Sequence, residues 1–517
     1  MMRRYLCALS ALALVLSTAC SRPAATTAAA TATAAAVPAA TATDATTAVV
    51  AATAVASAVA GTTSATTLSG ITSAARAIPS TFNVAWKPQT VQIDAATVSA
   101  AFRGVGDDGS LTFDAATAPT IAALVPNNVV IFSGLMLARV TSVTNAGGVL
   151  HVNVTPAALD DAIASGTISW KTAAIDWGSV AFTPPPGLHR VEIADDPILR
   201  VERFFAAPAS ASGSAVHYAG KVKKWSIKLN LTPQNGNLQM DLDASKTIDG
   251  GTIDVHGVGE LDNLTNSVNI TLNSGATTRI DFDAGSLHGK VDFTWSVAFD
   301  KEHGGNKLPE LNETDVESLP FALTYPMLVG PIPFKLRIAS GFVFAPTFTS
   351  KVTVAQGHLH QSFGGDVSLA STTSNGAPSP AASAAASPAA AGAPGDTSST
   401  MTSDVENDAY GGTMSVAPLG LSTTLMLPSI SLALGGPPEF DKLLAGGPYA
   451  LLFTQANFIA TGPISIAACE RREINFIVSV GYSTGMLSKV LKPWRKEVFR
   501  KTNSVVIPPN IRLCQPH

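Results

Sequence analysis

The sequence predicts a mainly β protein: an antiparallel meander forming a sandwich or a partly open barrel, with a few short helices. Two observations carry this. Between residues 221 and 300, apolar and polar residues alternate. Trp225, Ile227, Leu229 and Leu231 interleave with Ser226, Lys228 and Asn230. Leu238, Met240 and Leu242 repeat the pattern, as do Ile253 and Val255, then Val268, Ile270 and Leu272, then Ile280 and Phe282. The last run is Val291, Phe293, Trp295, Val297 and Phe299. The second observation is the turn chemistry between the runs: Pro233-Gln234-Asn235-Gly236, Asp262-Asn263 and Asn273-Ser274-Gly275. A period of two over short runs means antiparallel strands with one apolar face. That face must meet a second sheet, close into a barrel or hold an apolar ligand.

The elements follow in chain order. Arg3 and Arg4 precede an apolar run from Leu6 to Leu16, and Leu16-Ser17-Thr18-Ala19-Cys20 follows. The run is too short to span a bilayer and is flanked like a secretory signal. The ending in small residues and cysteine resembles the lipobox of bacterial lipoproteins, with Ser17 where that family usually has leucine. The resemblance covers the leader alone. It implies cleavage after residue 19, lipid such as palmitate on Cys20, and a membrane held through that lipid. In the Gram-negative family a residue other than aspartate after the cysteine, here Ser21, implies the outer membrane.

Residues 20–78, mostly Ala and Thr, read as a tether, on the order of 40 Å as a coil and well over 100 Å if extended. Residues 79–200 read as a mixed, strand-dominated N-terminal domain or subdomain. Within it, Thr155 as N-cap, Pro156 at the first helical position and Gly166 as a stop predict a helix over 157–165. Residues 201–370 hold the meander. Stretches 319–370 and 410–482 are expected to form the second sheet, with Pro320, Pro326, Pro331, Pro333 and Pro346 fitting edge strands and loops. Residues 371–408, rich in Ala, Ser and Pro, read as a disordered insertion. Residues 409–517 complete the β domain and end in a basic helix over 486–501, kinked at Pro493.

Composition narrows the function. Removing the leader takes two of 33 basic residues and leaves 37 acids, a mature net charge of −6. This argues against a nucleic-acid binder. Of four cysteines, Cys7 leaves with the leader and Cys20 takes lipid. Cys469 and Cys514 remain, and an oxidising compartment predicts a disulfide between them, stabilising by roughly 3–4 kcal/mol.

No credible catalytic set emerges. Gly481-Tyr482-Ser483-Thr484-Gly485 matches the Gly-x-Ser-x-Gly elbow of α/β-hydrolases, but no Asp follows it, and only Glu497 and His517 could serve as partners. His358 and His360 share a strand face at a spacing metals use, with Asp366 the nearest following acid. Three or four ligands are needed, so they read as surface histidines and no metal or cofactor is assigned. Asp241, Asp243, Asp254, Asp281, Asp283 and Asp292 read as a solvated acidic face among lysines. The basic helix would cover a sheet end or contact anionic lipid or polymer.

The expectation is a lipid-anchored envelope protein with a non-catalytic binding or scaffolding role, its partner an envelope polymer or protein. The alternatives are a carrier whose curved sheet holds an apolar ligand against Trp225, Phe282, Phe293, Trp295 and Phe299, and an envelope hydrolase.

Overall fold

The computed structural model describes residues 66–67, 76–172, 174–185, 187–191, 215–222, 224–234, 236–248, 251–299, 317–348, 353–372, 394–405, 414–415, 419–444, 446–461, 469–483, 487 and 491–507. All lie in one compact unit, Ala58–His517. The leader, Cys20 and Cys514 lie outside them, so lipidation and the expected disulfide do too; of that pair only the Cys469 backbone is described. The fold is mainly β, with four predominantly antiparallel sheets, one of them curled as a half-barrel.

Sheet I contains, in spatial order, Leu188–Val191, Val216–Val222, Trp225–Gln234, Asn237–Ile248, Gly251–Asp262, His288–Phe299, Thr353–Gly364 and Thr402–Val405. Met414–Ser415 also pairs with its Thr353–Gly364 strand. Sheet II contains Ser80–Trp86, Ile163–Lys171, Thr265–Asn273, Ala276–Gly285, Val367–Thr372 and Pro394–Ser399. Four chain segments run through both sheets. Gly251–Asp262 continues into Thr265–Asn273, Ala276–Gly285 into His288–Phe299, Thr353–Gly364 into Val367–Thr372, and Pro394–Ser399 into Thr402–Val405. The neighbour order is the same on both sides, so I and II are one sheet folded along a crease. Strands that switch sheets through bends make such corners.

The crease is a line of short-range bonds. Leu287 and Gly365 exchange N–H to carbonyl bonds of 2.9 and 3.1 Å. The Ser286 N–H donates to Asp366 Oδ1 at 2.8 Å, and the Asp366 N–H to Thr400 Oγ1 at 2.9 Å. Gly365 has φ +142°, and a Cβ there would lie 2.7 Å from Met401 Cα.

The crease corrects the single meander expected from the alternation. Asp262-Asn263 is not a hairpin turn, and Thr265–Asn273 with Ala276–Gly285 belong to a different sheet from their neighbours in sequence. The Asn273-Ser274-Gly275 turn is a hairpin as predicted. Ser274 and Gly275 have φ of 50° and 73°, as a type I′ turn requires.

Sheet III is a second meander of long strands: Glu317–Val329, Ile332–Phe348, Leu419–Leu434, Pro448–Thr461, Cys469–Tyr482 and Trp494–Ile507, extended beyond Glu317–Val329 by Ala181–Thr183 and Thr66–Thr67. Arg76–Ala77 also pairs with Glu317–Val329, in parallel. One face of sheet III covers the folded sheet. Trp170 of sheet II packs on Phe334 with centroids 4.9 Å apart, and Phe363 of sheet I stacks on Phe476 at 6.2 Å. The arrangement is therefore a sandwich. Sheet IV is a smaller sheet within 90–156, holding the stacked pair Phe113 and Phe132.

Several expectations change. Residues 353–372 join sheets I and II, not the second sheet. The prolines sit on inner strands as well as outer ones: Ile332–Phe348 has partners on both sides and carries Pro333 and Pro346 near its ends. On Glu317–Val329, Pro326 lies between the two short covering segments, which pair at 322–324 and 327–328, and Pro320 lies before them. A missing N–H is tolerated at such places.

Residues 79–200 are not separate, since their strands enter all four sheets. The helix predicted over 157–165 is a single turn, Leu159–Ala162. The strand Ile163–Lys171 replaces the rest, because it pairs on both sides, with Ser80–Trp86 and Thr265–Asn273. Strands resume at Pro394, inside the stretch read as a disordered insertion.

The basic helix is overturned from Trp494 on; residues 486 and 488–490 of it lie outside the described residues. Trp494–Ile507 is an edge strand paired with Cys469–Tyr482 from Trp494 to Ile507. Val498 occupies a bulge opposite Val478 and Ser479. Arg and Lys on an edge strand discourage pairing with another chain.

Candidate functional site

Four of the five aromatic residues proposed to line a pocket are described by their side chains, and all four are core. Trp225, Phe282, Phe293 and Trp295 are at most 5% exposed. Phe282 stands in sheet II, across the crease from the other three, which stand in sheet I. The Phe299 side chain lies outside the described residues. A cavity does lie between sheets I and III, against Leu231, Leu238, Met240, Phe363, Ile338 and Leu427, but its volume is about 80 Å³. Ligand sites usually measure ~300–1,000 Å³, and none of the proposed aromatics lines this one.

The larger concavity is on the opposite, polar face of sheet I. A groove of about 660 Å³ crosses five adjacent strands. Register explains its lining. Lys228, Asp243, His256, Thr294 and His358 form one row straight across those strands. Ser226, Ser245, Asp254, Ser296 and Gln356 form the row two residues along. The alternation that buries Trp225 and Ile227 places every one of these polar side chains on the solvent face.

On the other side of the first row runs a third: His217, Asn230, Asp241, Val258, Asp292 and His360. Where the first and third rows adjoin, acids and imidazoles converge. Asp292 Oδ1 lies 2.8 Å from His358 Nε2, and its Oδ2 lies 3.2 Å from His360 Nδ1. Two strands away, His256 Nδ1 lies 2.8 Å from Asp243 Oδ1 and 3.8 Å from Asp241 Oδ1. His217 Nδ1 sits 2.7 Å from Asn230 Oδ1. Burial alone would raise the Asp292 carboxyl, but the hydrogen bonds and charge of His360 and His358 outweigh it and hold the group below the ordinary range.

The pair His358 and His360 was legible in sequence; its acid was not. Asp366, the nearest following acid, serves the crease through Ser286. Asp292 comes instead from the neighbouring strand. His256 gave no local signal, because only the register places it beside Asp241 and Asp243. The expected acidic face divides: Asp241, Asp243, Asp254 and Asp292 stay on sheet I, whereas Asp281 and Asp283 lie on sheet II. Arg279 Nε donates to both Asp281 oxygens at 2.8 Å, and Ser267 to Asp283 at 3.0 Å.

Ser483 closes a structural contact. Its N–H donates to the Gly447 carbonyl at 2.9 Å, and its hydroxyl accepts from the Gly447 N–H at 3.1 Å. The strand before it lies in an antiparallel meander, not the parallel sheet of the elbow motif. Among the described residues, no helix is long and apolar enough to cross a membrane. The chain matches no protein-family model, no curated protein and no solved structure.

Proposed function

We propose that this protein is a non-catalytic binding or scaffolding component of the bacterial cell envelope, held by lipid on Cys20 and meeting its partner through the grooved face of sheet I. The groove carries the reading: it offers about 660 Å³ on the solvent face, against about 80 Å³ between the sheets. Hydroxyls, the Gln356 amide, imidazoles, carboxylates and Lys228 line it together with Trp295, which suits a polar envelope polymer or a protein surface better than an acyl chain. The acidic mature charge disfavours nucleic acid. The leader's lipobox-like ending and Ser21 support the outer membrane, and the Ala/Thr-rich sequence after Cys20 and before Thr66, where pairing with sheet III begins, gives reach from it. A Cys469–Cys514 disulfide belongs to the same exported setting.

The test is a photo-cross-linking residue placed at Thr294 or Gln356 in the groove, with Leu443, exposed elsewhere, as control. In intact envelopes the two groove positions should give a discrete adduct and Leu443 none. Equal labelling from all three, or none from the groove, would sink the reading. Organic extraction of the purified full chain should yield no stoichiometric apolar molecule; recovering one would restore the carrier.

A further inference from the structure

We infer that Asp292, His358 and His360 form a binding site for a divalent first-row transition-metal ion. This goes beyond the partner-binding reading and stands without it. The three side chains come from two adjacent strands, and their ligand atoms already lie within 4.8 Å of one another. Asp292 pairs directly with His360, and Thr294 pairs directly with His358, so Asp292 reaches His358 on the diagonal. Sites carried on paired strands hold their geometry better than sites on loops.

A tetrahedral zinc ion, with bonds of about 2.0–2.1 Å, asks for ligand atoms about 3.3 Å apart. Asp292 Oδ1 stands 2.8 Å from His358 Nε2 and Oδ2 stands 3.2 Å from His360 Nδ1, and one ligand atom from each residue lies within 4.8 Å of the others. The three donors therefore already face a common point between the two strands. The chemistry selects the ion: two imidazoles and one carboxylate favour zinc, copper, nickel or iron over calcium and magnesium, which take oxygen ligands. The carboxylate of Asp292 supplies the negative charge. The side chains are 35%, 32% and 44% exposed for His358, His360 and Asp292, so an ion can enter from solvent. His358 also lines the groove, which puts a fourth position within reach of water or of a donor atom on the groove's occupant. Asp241, Asp243 and His256 form a second convergence with a single imidazole, poorer for such an ion.

The test uses the full chain with Cys20→Ser, stripped with chelator, then titrated with Zn²⁺ against a chromophoric chelator and with Co²⁺ by visible absorption. One equivalent should bind at pH 7.5 and weaken on acidification, because metal ligands must be deprotonated. The Co²⁺ spectrum should show nitrogen and oxygen ligands with no thiolate charge-transfer band, which excludes Cys7, Cys469 and Cys514. His358→Ala and Asp292→Asn should each weaken binding by more than the roughly 10–100-fold that loss of an outer-shell partner costs. His360→Gln, close to the imidazole in size, should do the same with an unchanged circular dichroism spectrum, while His256→Ala should bind as the parent does. The inference is overturned if the parent binds no equivalent, if the His358→Ala, His360→Gln double variant binds as tightly as the parent, or if the loss follows His256→Ala instead.

Discussion

Replacing Asp441 with Asn should destabilise the protein by about 3–4 kcal/mol at pH 7, and by half of that or less at pH 9. Lys335 is on an inner strand of sheet III. It alternates with Phe334 and Leu336 and so faces away from the sandwich interior, yet it is only 4% exposed. Its ammonium pairs with Asp441, which opens a single helical turn, Asp441–Leu444. Arg337, two residues along, is 6% exposed and feels the same carboxylate. Burial pushes the lysine down, and Asp441 opposes this only in part. Removing one partner of a buried pair costs about 3–5 kcal/mol.

The stranded lysine can escape by losing its proton, and this sets a ceiling. Shedding it costs about 1.36 kcal/mol for each unit between the pH and the ordinary value of about 10.4, so about 4.6 kcal/mol at pH 7 and about 1.9 at pH 9. The sign follows from linkage. The folded-state pKa is lowered, so between it and about 10.4 the unfolded chain binds more protons, and stability rises with pH through that window. Asp441→Asn lowers the folded value further and widens the window, so parent and variant converge as pH rises. The assay is thermal unfolding at both pH values. With an unfolding entropy of roughly 2.1 cal/mol/K per residue, the variant's Tm should fall by about 3–4 °C at pH 7. A fall below about 1 °C at pH 7, or one unchanged at pH 9, would refute the argument. Adding Lys335→Met to Asp441→Asn should recover most of the loss, because an apolar replacement of both partners is often neutral.

Other variants test the rest of the fold. Phe282→Ala should cost about 3–5 kcal/mol in chemical denaturation and leave cross-linking from Thr294 intact, since Phe282 is core; a milder loss would mean a cavity there. Gly365→Ala should cost about 1–3 kcal/mol or more by the same assay, because φ is +142° and the added Cβ would sit 2.7 Å from Met401 Cα and the Thr400 carbonyl. A neutral result would show that the crease can relax. Ser483→Ala should cost only about 1 kcal/mol and abolish no hydrolysis of ester or glycan substrates; loss of such an activity would reopen the hydrolase reading.

The strands of 225–299 were legible because one face of each is buried, which imprints a period of two on the sequence. The crease was not. Asn263, Ser286 and Gly365 are residues that also make hairpins, and composition does not tell a bend that continues from a turn that reverses. The terminal strand was misread for a different reason. Leu487, Val490, Leu491, Trp494 and Val498 fall at helical spacing by coincidence, while the edge position leaves Arg495, Lys496, Arg500 and Lys501 in water and blurs the alternation. The single turn at Leu159–Ala162 shows pairing overriding local signals: Ile168 and Trp170 take partners on both sides. At the site, His358 and His360 announce themselves two residues apart. Asp292 lies 66 positions from His358, and only strand register, which no local window encodes, brings them together.

The crease also bears on error correction during folding. In an ordinary sheet, a strand that slips by one residue turns its side chains over in that sheet alone. Here each of four segments belongs to two sheets, so the same slip would invert the segment on both sides of the bend. It would expel apolar residues from the core on both sides of the bend at once and move Ser286, Gly365 and Asp366 off their partners. Each alignment thus proofreads the other. The rows of Asp and His across sheet I are held in step from beyond the bend, by pairings that never touch the groove.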